Sequence, residues 1–290
     1  MYQSSTLLRM LKWLAVIAAM CFALFPIFWM VSTSFKPIQE WSTYPPVWIP
    51  RQPTLENYLA LLNPAALAGS HSIDYKVAET AWRPLLNSLI ISTSATFFSV
   101  CFGTLAAYGV SRYKSGGESY PMFVLTVRMF PPIAVAVPML VMYSFLHLTG
   151  TYVGLVLAYT AFTLPLSIWM IRSFIDEIPR EIEEAAVVYG LSSIRAFWRV
   201  TFPLIRGALV ATALFIYILN WSEFLFALSL TNGALTTVTV QVSNYFSASS
   251  GQLYGPQAAL GTLSTIPVIF FGYLIQRHLV RGLTFGAIKR

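Results

Sequence analysis

The sequence predicts an all-α polytopic membrane protein with six transmembrane helices. First, 57% of the 290 residues are hydrophobic and only 10% are charged, where a soluble domain carries ~25% charged residues. Second, six runs reach the roughly 20 apolar residues that a membrane-crossing helix needs. They are Leu11–Phe35, Leu85–Val110, Pro121–Leu146, Val153–Ile175, Gly207–Leu230 and Ala258–Gln276. Third, the charge is one-sided. With the N-terminus inside, thirteen of the eighteen Lys and Arg face six carboxylates on the inner side, so the whole net charge of +7 sits there. Cations favour the cytoplasmic face, which puts both termini in the cytoplasm. The same distribution argues against a nucleic-acid-binding patch.

Residues 1–12 read as a cytoplasmic N-terminus and 13–35 as the first transmembrane helix. Arg9 and Lys12 precede an apolar run of about 25 residues, too long for a cleavable signal, and no small-x-small site closes it. Cys21 and Cys101 lie within apolar runs and read as small buried hydrophobes, not as a disulfide or metal pair. Residues 36–84 form an external segment. It opens rich in Pro and Trp (Trp41, Pro45, Pro46, Trp48, Pro50, Pro53), which suits a chain lying at the membrane interface. Thr54 can then cap a short helix with Leu55, Tyr58, Leu59 and Leu62 on one face, ended by Pro64.

Residues 85–290 hold the other five spans. Pro131-Pro132, Pro138, Pro165 and Pro267 fall inside spans, where proline removes a helical hydrogen bond and kinks the helix. Such breaks either shape a cavity or serve packing. Arg128 and Glu223 are the full charges well inside spans, and charges there usually face a cavity or a partner. Arg128 lies roughly 10 Å from the inner end of its span and Glu223 roughly 24 Å from the inner end of its own. That mismatch argues against a direct pair. Arg128 reads either as snorkelling to the inner surface or as facing a cavity. Glu223 reads either as lining a path or gate or as a structural bond to another helix or subunit.

The internal loop 176–206 is the most informative stretch. Pro179 suits the first turn of a helix, Asp176 or Glu177 can cap it, and Glu181, Glu183 and Glu184 favour its positive end. Ile178, Ile182, Ala185, Ala186 and Tyr189 recur at helical spacing, and Gly190 can take the left-handed stop. Ser192 or Ser193 begins a second helix with Ile194, Phe197, Trp198 and Phe202 on one face, Arg195 and Arg199 on the other, and a break at Pro203. A helix–turn–helix between two spans reads either as an interfacial element or as a docking element for a cytoplasmic protein. The external loop Thr231–Gln257 is uncharged, with Thr237–Val242 as a possible short strand. His71, His147 and His278 have no ligand spacing, so no metal site is expected. The tail 277–290 is basic, and Gly282 and Gly286 suggest flexibility.

The string Glu184-Ala185-Ala186, three residues, Gly190, nine residues, Val200-Thr201-Phe202-Pro203 resembles the EAA loop of ABC importer permeases. Further short strings, in order, are similar to carbohydrate-uptake permeases. They include Ser34-Phe35-Lys36, Thr54-Leu55-Glu56-Asn57-Tyr58, Asn87-Ser88, Ala107-Tyr108 with Arg112-Tyr113, Met129-Phe130-Pro131 and Trp221-Ser222-Glu223-Phe224-Leu225. The ending Gly282-Leu283-Thr284-Phe285-Gly286-Ala287-Ile288-Lys289 resembles the second permease of maltose-type systems. Tyr189 stands where the family often has an acid.

The resemblance implies a type I ABC importer permease fold, with residues 85–290 as permease core. It implies a non-catalytic transport subunit of the bacterial inner membrane, working by alternating access without a cofactor. The implied partners are a second homologous permease, two copies of a cytoplasmic ABC ATPase, an external sugar-binding protein and a carbohydrate substrate. Glu183, Glu184, Ala185, Ala186, Tyr189, Gly190 and Pro203 would couple to the ATPase. Gly282, Thr284, Gly286 and Lys289 would form a tail contact to it, although a lipid anchor is an equally simple use of a basic tail. Glu223, Asn220, Met129 and Pro131 are candidates for the translocation path. The chain has no G-x-x-x-x-G-K-[ST] phosphate loop, so ATP binding of that kind falls to another chain. The alternative is a stand-alone secondary transporter or channel, for which Glu223 is the one midplane acid on offer.

Overall fold

The computed structural model describes residues 6–63, 81–117, 119–231, 233, 235–247 and 251–285. The helices run α1 (Thr6–Ser34), α2 (Glu56–Leu62), α3 (Trp82–Tyr113), α4 (Tyr120–Met129), α5 (Pro132–Phe145), α6 (Tyr152–Asp176), α7 (Arg180–Val188) and α8 (Ser193–Ala196). They continue with α9 (Phe202–Trp221), α10 (Leu225–Leu230), α11 (Val238–Asn244) and α12 (Tyr254–Phe285). One antiparallel pair of two-residue strands, Phe246–Ser247 with Gly251–Gln252, joins α11 to α12. The chain divides into two units, Met1–Trp82 with Gln241–Ile266, and Arg83–Val240 with Pro267–Arg290.

Five stretches are long and apolar enough to cross a membrane: Leu8–Ser34, Trp82–Tyr113, Tyr152–Asp176, Ser193–Trp221 and Tyr254–Leu274. The expected third span is instead split. Pro131 is extended, with φ −60° and ψ 121°, and separates α4 from α5. A proline pair withholds two backbone donors and disfavours helix at the preceding residue, so the run breaks there. The fifth run also breaks: α9 stops at Trp221 and α10 restarts at Leu225. Glu223 therefore sits in an interruption, not inside a continuous helix.

In the first unit, the segment after α1 is tied down by polar side chains. The Asn57 amide, buried on α2, donates to the carbonyls of Ser34 and Lys36, each at 2.9 Å. Lys36 is itself fully buried, with Nζ 3.6 Å from the centre of the Trp29 ring. Burial pushes its ammonium below the usual lysine range, and Glu40 opposes that shift. Asn57 also decides which face of α2 turns inward. Asn57, Ala60 and Leu61 are buried, while Leu55, Leu59 and Leu62 of the expected apolar face are exposed. Thr54 does serve the helix start, its hydroxyl accepting from the Glu56 amide at 3.1 Å.

In the second unit, α6 is the organising helix, and half of its apolar window is buried where none of α1's is. Near its start, Leu155, Ala158 and Tyr159 pack with Ile91 and Ala95 of α3, Tyr143 of α5, and Phe226, Ala227 and Leu230 of α10. Near its end, Ile168, Ile171 and Ile175 pack with Ala107, Val124, Ile205 and Leu209. Between α3 and α6 the contact is made by small and hydroxyl side chains. Thr163 Oγ1 donates to its own helix at Tyr159 O, 2.7 Å away, and lies 3.2 Å from Ser99 Oγ across the contact. Gly103 lies so close to α6 that a Cβ there would collide with Ser167 Oγ. Apolar surface gains little from association in lipid, so close approach and hydrogen bonds carry the packing.

Two further expectations are corrected. Residues 238–244 are helical, not a strand: the Val238 amide donates to Ser88 Oγ at 2.8 Å, and Val238 and Val240 are buried. Tertiary contact overrides β-branched propensity here. Cys21 and Cys101 are exposed, because they lie on helix faces that this chain leaves uncovered.

Gly103→Leu should add volume where none exists, at a cost of about 1–3 kcal/mol. The expected outcome is a lower thermal unfolding midpoint in detergent, partly restored by Ser167→Gly. An unchanged midpoint would remove the close α3–α6 contact from the account.

Candidate functional site

The loop between α6 and α9 is built from its caps. Pro179 takes the cap position of α7 with extended backbone, one place earlier than a first-turn proline, and Glu181 and Glu183 fill the first turn. Asp176 and Glu177 do not cap the helix. Asp176 is the last residue of α6; its carboxylate accepts from Ser111 Oγ and lies 3.2 Å from Arg172 Nε. Gly190 ends the helix with φ +92°. The Leu191 amide donates to Ala186 O at 3.1 Å and the Gly190 amide to Val187 O at 2.9 Å. That pair of bonds is a Schellman stop, whose left-handed residue favours glycine.

The second half departs from expectation at Pro203. Ser192 is the cap residue of α8, but Pro203 does not break the helical path beyond it. A π-helical turn at Phe197–Thr201 leads directly into α9, and Pro203 occupies the first turn of that helix. Inside that continuous path proline has no N–H to offer the preceding turn and its ring crowds that turn's carbonyls, and the wider π turn accommodates it without ending the helix.

The burial of α7 is the reverse of its hydrophobic pattern. Glu183 is only 8% exposed, while Val188 is 85% and Tyr189 90% exposed. The reason lies across the loop. Arg112 Nε donates to Glu183 Oε2 at 2.9 Å, the Tyr108 hydroxyl donates to Oε1, and Thr201 Oγ1 donates to Oε2 at 3.2 Å. Arg112 Nη2 also donates to Ile178 O at 3.0 Å, and Arg180 Nη2 to Ser111 O at 2.7 Å. The Tyr108 ring lies 4.6 Å from that of Phe197. The end of α3 thus grips α7, the α6–α7 joint and the π turn. These charge-assisted bonds compensate a carboxylate withdrawn from water. Residues 71 apart in sequence form the pair. The strings containing Tyr108 and Arg112 carry the family resemblance, but nothing in their spacing ties them to the loop.

The remaining coupling candidates face outward. Glu184, Ala185, Tyr189, Gly190 and Pro203 are exposed and Ala186 half-buried, with Ile182, Ile194 and Trp198 exposed beside them. The path candidates fall at the two helix breaks. Glu223 caps α10: Oε1 accepts from the Phe226 amide at 2.9 Å and Oε2 from the Ala227 amide at 3.1 Å. Its carbonyl accepts from Thr239 Oγ1 at 2.7 Å. Asn220 is buried and donates to Thr96 Oγ1 at 3.1 Å. Met129 and Pro131 are exposed at the α4–α5 break. Arg128 lies on α4, and its side chain is outside the described residues.

In the tail, α12 continues through Phe285, so Gly282 and Thr284 are helical and not part of a flexible segment. A single glycine costs a helix only about 1 kcal/mol, which does not break it. Gly286 and Lys289 lie outside the described residues. Among the described residues no cluster of His, Cys, Asp or Glu has the geometry to hold a metal ion.

Comparison with known proteins matches residues 99–285 to the family described as binding-protein-dependent transport system inner membrane component. The trehalose/maltose transport system permease protein MalG of Thermococcus litoralis is 34% identical over 290 residues, covering 99% of each chain. The trehalose transport system permease protein SugB of Mycobacterium tuberculosis is 33% identical over 271 residues, covering 92% of this chain and 93% of that one. The fold matches a solved bacterial ABC transporter involved in import of the acidic polysaccharide alginate. The TM-score is 0.73 at 19% identity, over 96% of this chain and 98% of the other.

Glu183→Ala leaves Arg112 buried without its carboxylate, a loss of about 3–5 kcal/mol when a buried pair is broken. Amide exchange across residues 177–192 should accelerate markedly, while the helices away from the loop stay protected. Wild-type protection of that segment would mean the ion pair does not hold the loop.

Proposed function

The chain belongs to the family of binding-protein-dependent transport system inner membrane components, and from that premise we propose that it is the permease subunit of an ATP-driven carbohydrate importer. It is a multi-pass inner-membrane protein with the fold of an ABC importer permease. The proposed substrate class is a sugar, oligosaccharide or polyol, in keeping with the sugar transport named for its relatives. The proposed partners are a second homologous permease, two copies of a cytoplasmic ATPase and an external binding protein. Substrate moves inward by alternating access. The chain is a transport component, and hydrolysis of ATP falls to the partner.

The observation that carries this reading is the burial of α7. Its one inward carboxylate, Glu183, is consumed by Arg112, Tyr108 and Thr201, and its apolar residues Val188 and Tyr189 are left exposed. Exposed apolar surface on a rigid turn is what a docking element needs. We assign contact with the ATPase to Glu184, Ala185, Ala186, Tyr189 and Gly190, and the positioning of that surface to Glu183 and Pro203. Gly282, Thr284, Gly286 and Lys289 are proposed as a further contact from the tail. Asn220 and Glu223 shape the α9–α10 break from within, and Met129 and Pro131 flank the other break on the proposed path. The one-sided charge supports cytoplasmic termini. The proposed division is 1–12, 13–35, the external segment 36–84 and the core 85–290, with the coupling loop at 176–206.

Two experiments test it. Gly190→Val forces a β-branched side chain into the left-handed region, so the variant should insert normally yet lose co-purification with the ATPase. Wild-type co-purification and uptake would defeat the coupling assignment. Separately, Gly233→Cys should label from outside intact cells and Ser192→Cys only after the cytoplasm is opened. The opposite pattern would invert the proposed orientation.

A further inference from the structure

We propose that the cleft between the ends of α3 and α6 binds the phosphate of an anionic phospholipid headgroup. The inference rests on the chain's place in a membrane and not on the import reading. The cleft has a volume of about 300 Å³ and is lined by Val110, Ser111, Lys114, Arg172, Asp176 and Arg180, with Gly117 at its edge. Its wall carries three cations and one carboxylate. The carboxylate is already engaged, since Asp176 accepts from Ser111 and pairs with Arg172 at 3.2 Å. Arg180 is exposed, and its guanidinium donates to a neutral acceptor, the Ser111 carbonyl. Three cations and one engaged carboxylate therefore line a space large enough for a phosphate group.

Two features support headgroup level for that space. Lys114 follows directly on the candidate span Trp82–Tyr113, and Asp176 is the last residue of the span Tyr152–Asp176. Tyr113 and Trp169 are exposed close by in sequence, as aromatic side chains are at a membrane–water interface. The backbone adds a third feature. Lys114 has φ +52°, followed by Gly116 at +85° and Gly117 at +80°. A lysine held left-handed is uncommon, and such conformations collect at ligand sites. Here the turn doubles the chain back over the end of α3, the Gly117 amide donating to Lys114 O at 2.9 Å, and keeps Lys114 in the cleft wall. A bound headgroup bridges α3 and α6 beside the Arg112–Glu183 pair.

The test uses the full-length chain in neutral detergent, titrated with phosphatidylglycerol, phosphatidylcholine or inorganic phosphate. Lipid retention is read by native mass spectrometry and the unfolding midpoint by thermal melting. Phosphatidylglycerol should be retained and raise the midpoint, and phosphatidylcholine should do neither to the same degree. Lys114→Gln, a surface change, should weaken phosphatidylglycerol retention about fivefold, as expected for one basic contact with an anionic lipid. Arg172→Gln combined with it should weaken retention further, whereas Arg195→Gln elsewhere on the loop should not. Equal retention of the two lipids overturns the proposal, as does an Arg195→Gln effect equal to that of Lys114→Gln. A midpoint shift by millimolar phosphate matching that of phosphatidylglycerol overturns the lipid assignment in favour of a soluble anion.

Discussion

Arg112 and Glu183 form the contact on which the loop depends. A charged pair withdrawn from water is an inefficient source of stability, because desolvation consumes most of the attraction. Its value here is geometric. The carboxylate accepts three donors and the guanidinium reaches a backbone carbonyl as well. One arrangement of α3, α7 and the π turn satisfies all of them together. An apolar substitute would bury as much surface without choosing among nearby registers. With α7 fixed by its one inward acid, its apolar residues are free to face outward. Polarity on this helix is inverted by its surroundings and not by weakness of its pattern.

The same reliance on polar contacts governs the spans. The helices of the second unit meet through glycine, serine and threonine, and α6 passes between two apolar clusters, one at each end. Where the helices break, the exposed backbone groups have to be satisfied inside the protein, since lipid offers no partners. Glu223 does this at the α9–α10 interruption, accepting two amides at the start of α10. At the α4–α5 interruption, Pro131 and Pro132 solve the problem differently, by having no amide hydrogen to satisfy.

Much of this architecture is legible in the sequence. Apolar run lengths locate the spans, and Gly190, Pro179 and the acids of 181–184 mark a helix with its stop. What escapes a sequence reading is set by tertiary partners. The periodicity of Ile182, Ala185 and Tyr189 points the wrong face of α7 inward, because a pattern of apolar residues cannot register a buried arginine 71 positions away. The same holds for α2, where Asn57 takes the interior place that Leu59 and Leu62 would suit. The composition of Thr237–Val242 suggests a strand, but the hydrogen bond from the Val238 amide to Ser88 belongs to a setting that makes it helix. Pro203 suggests a break because proline's local effect is to end helices, yet in the first turn of α9 it merely continues one.

That continuity has a mechanical meaning. From Ser193 to Trp221 the chain runs as one helical stretch of 29 residues, about 43 Å at 1.5 Å per residue. One end lies on the exposed surface of the loop and the other at the Glu223 interruption. Helix joins the two throughout, as a shaft whose hydrogen-bond pattern widens at the π turn Phe197–Thr201. The π turn inside it holds a wider loop of backbone than an α turn, and shifting that turn along the axis rotates and advances the shaft by one residue, about 100° and 1.5 Å. A loop that ended in a hinge would be set apart from the span; this one is continuous with it.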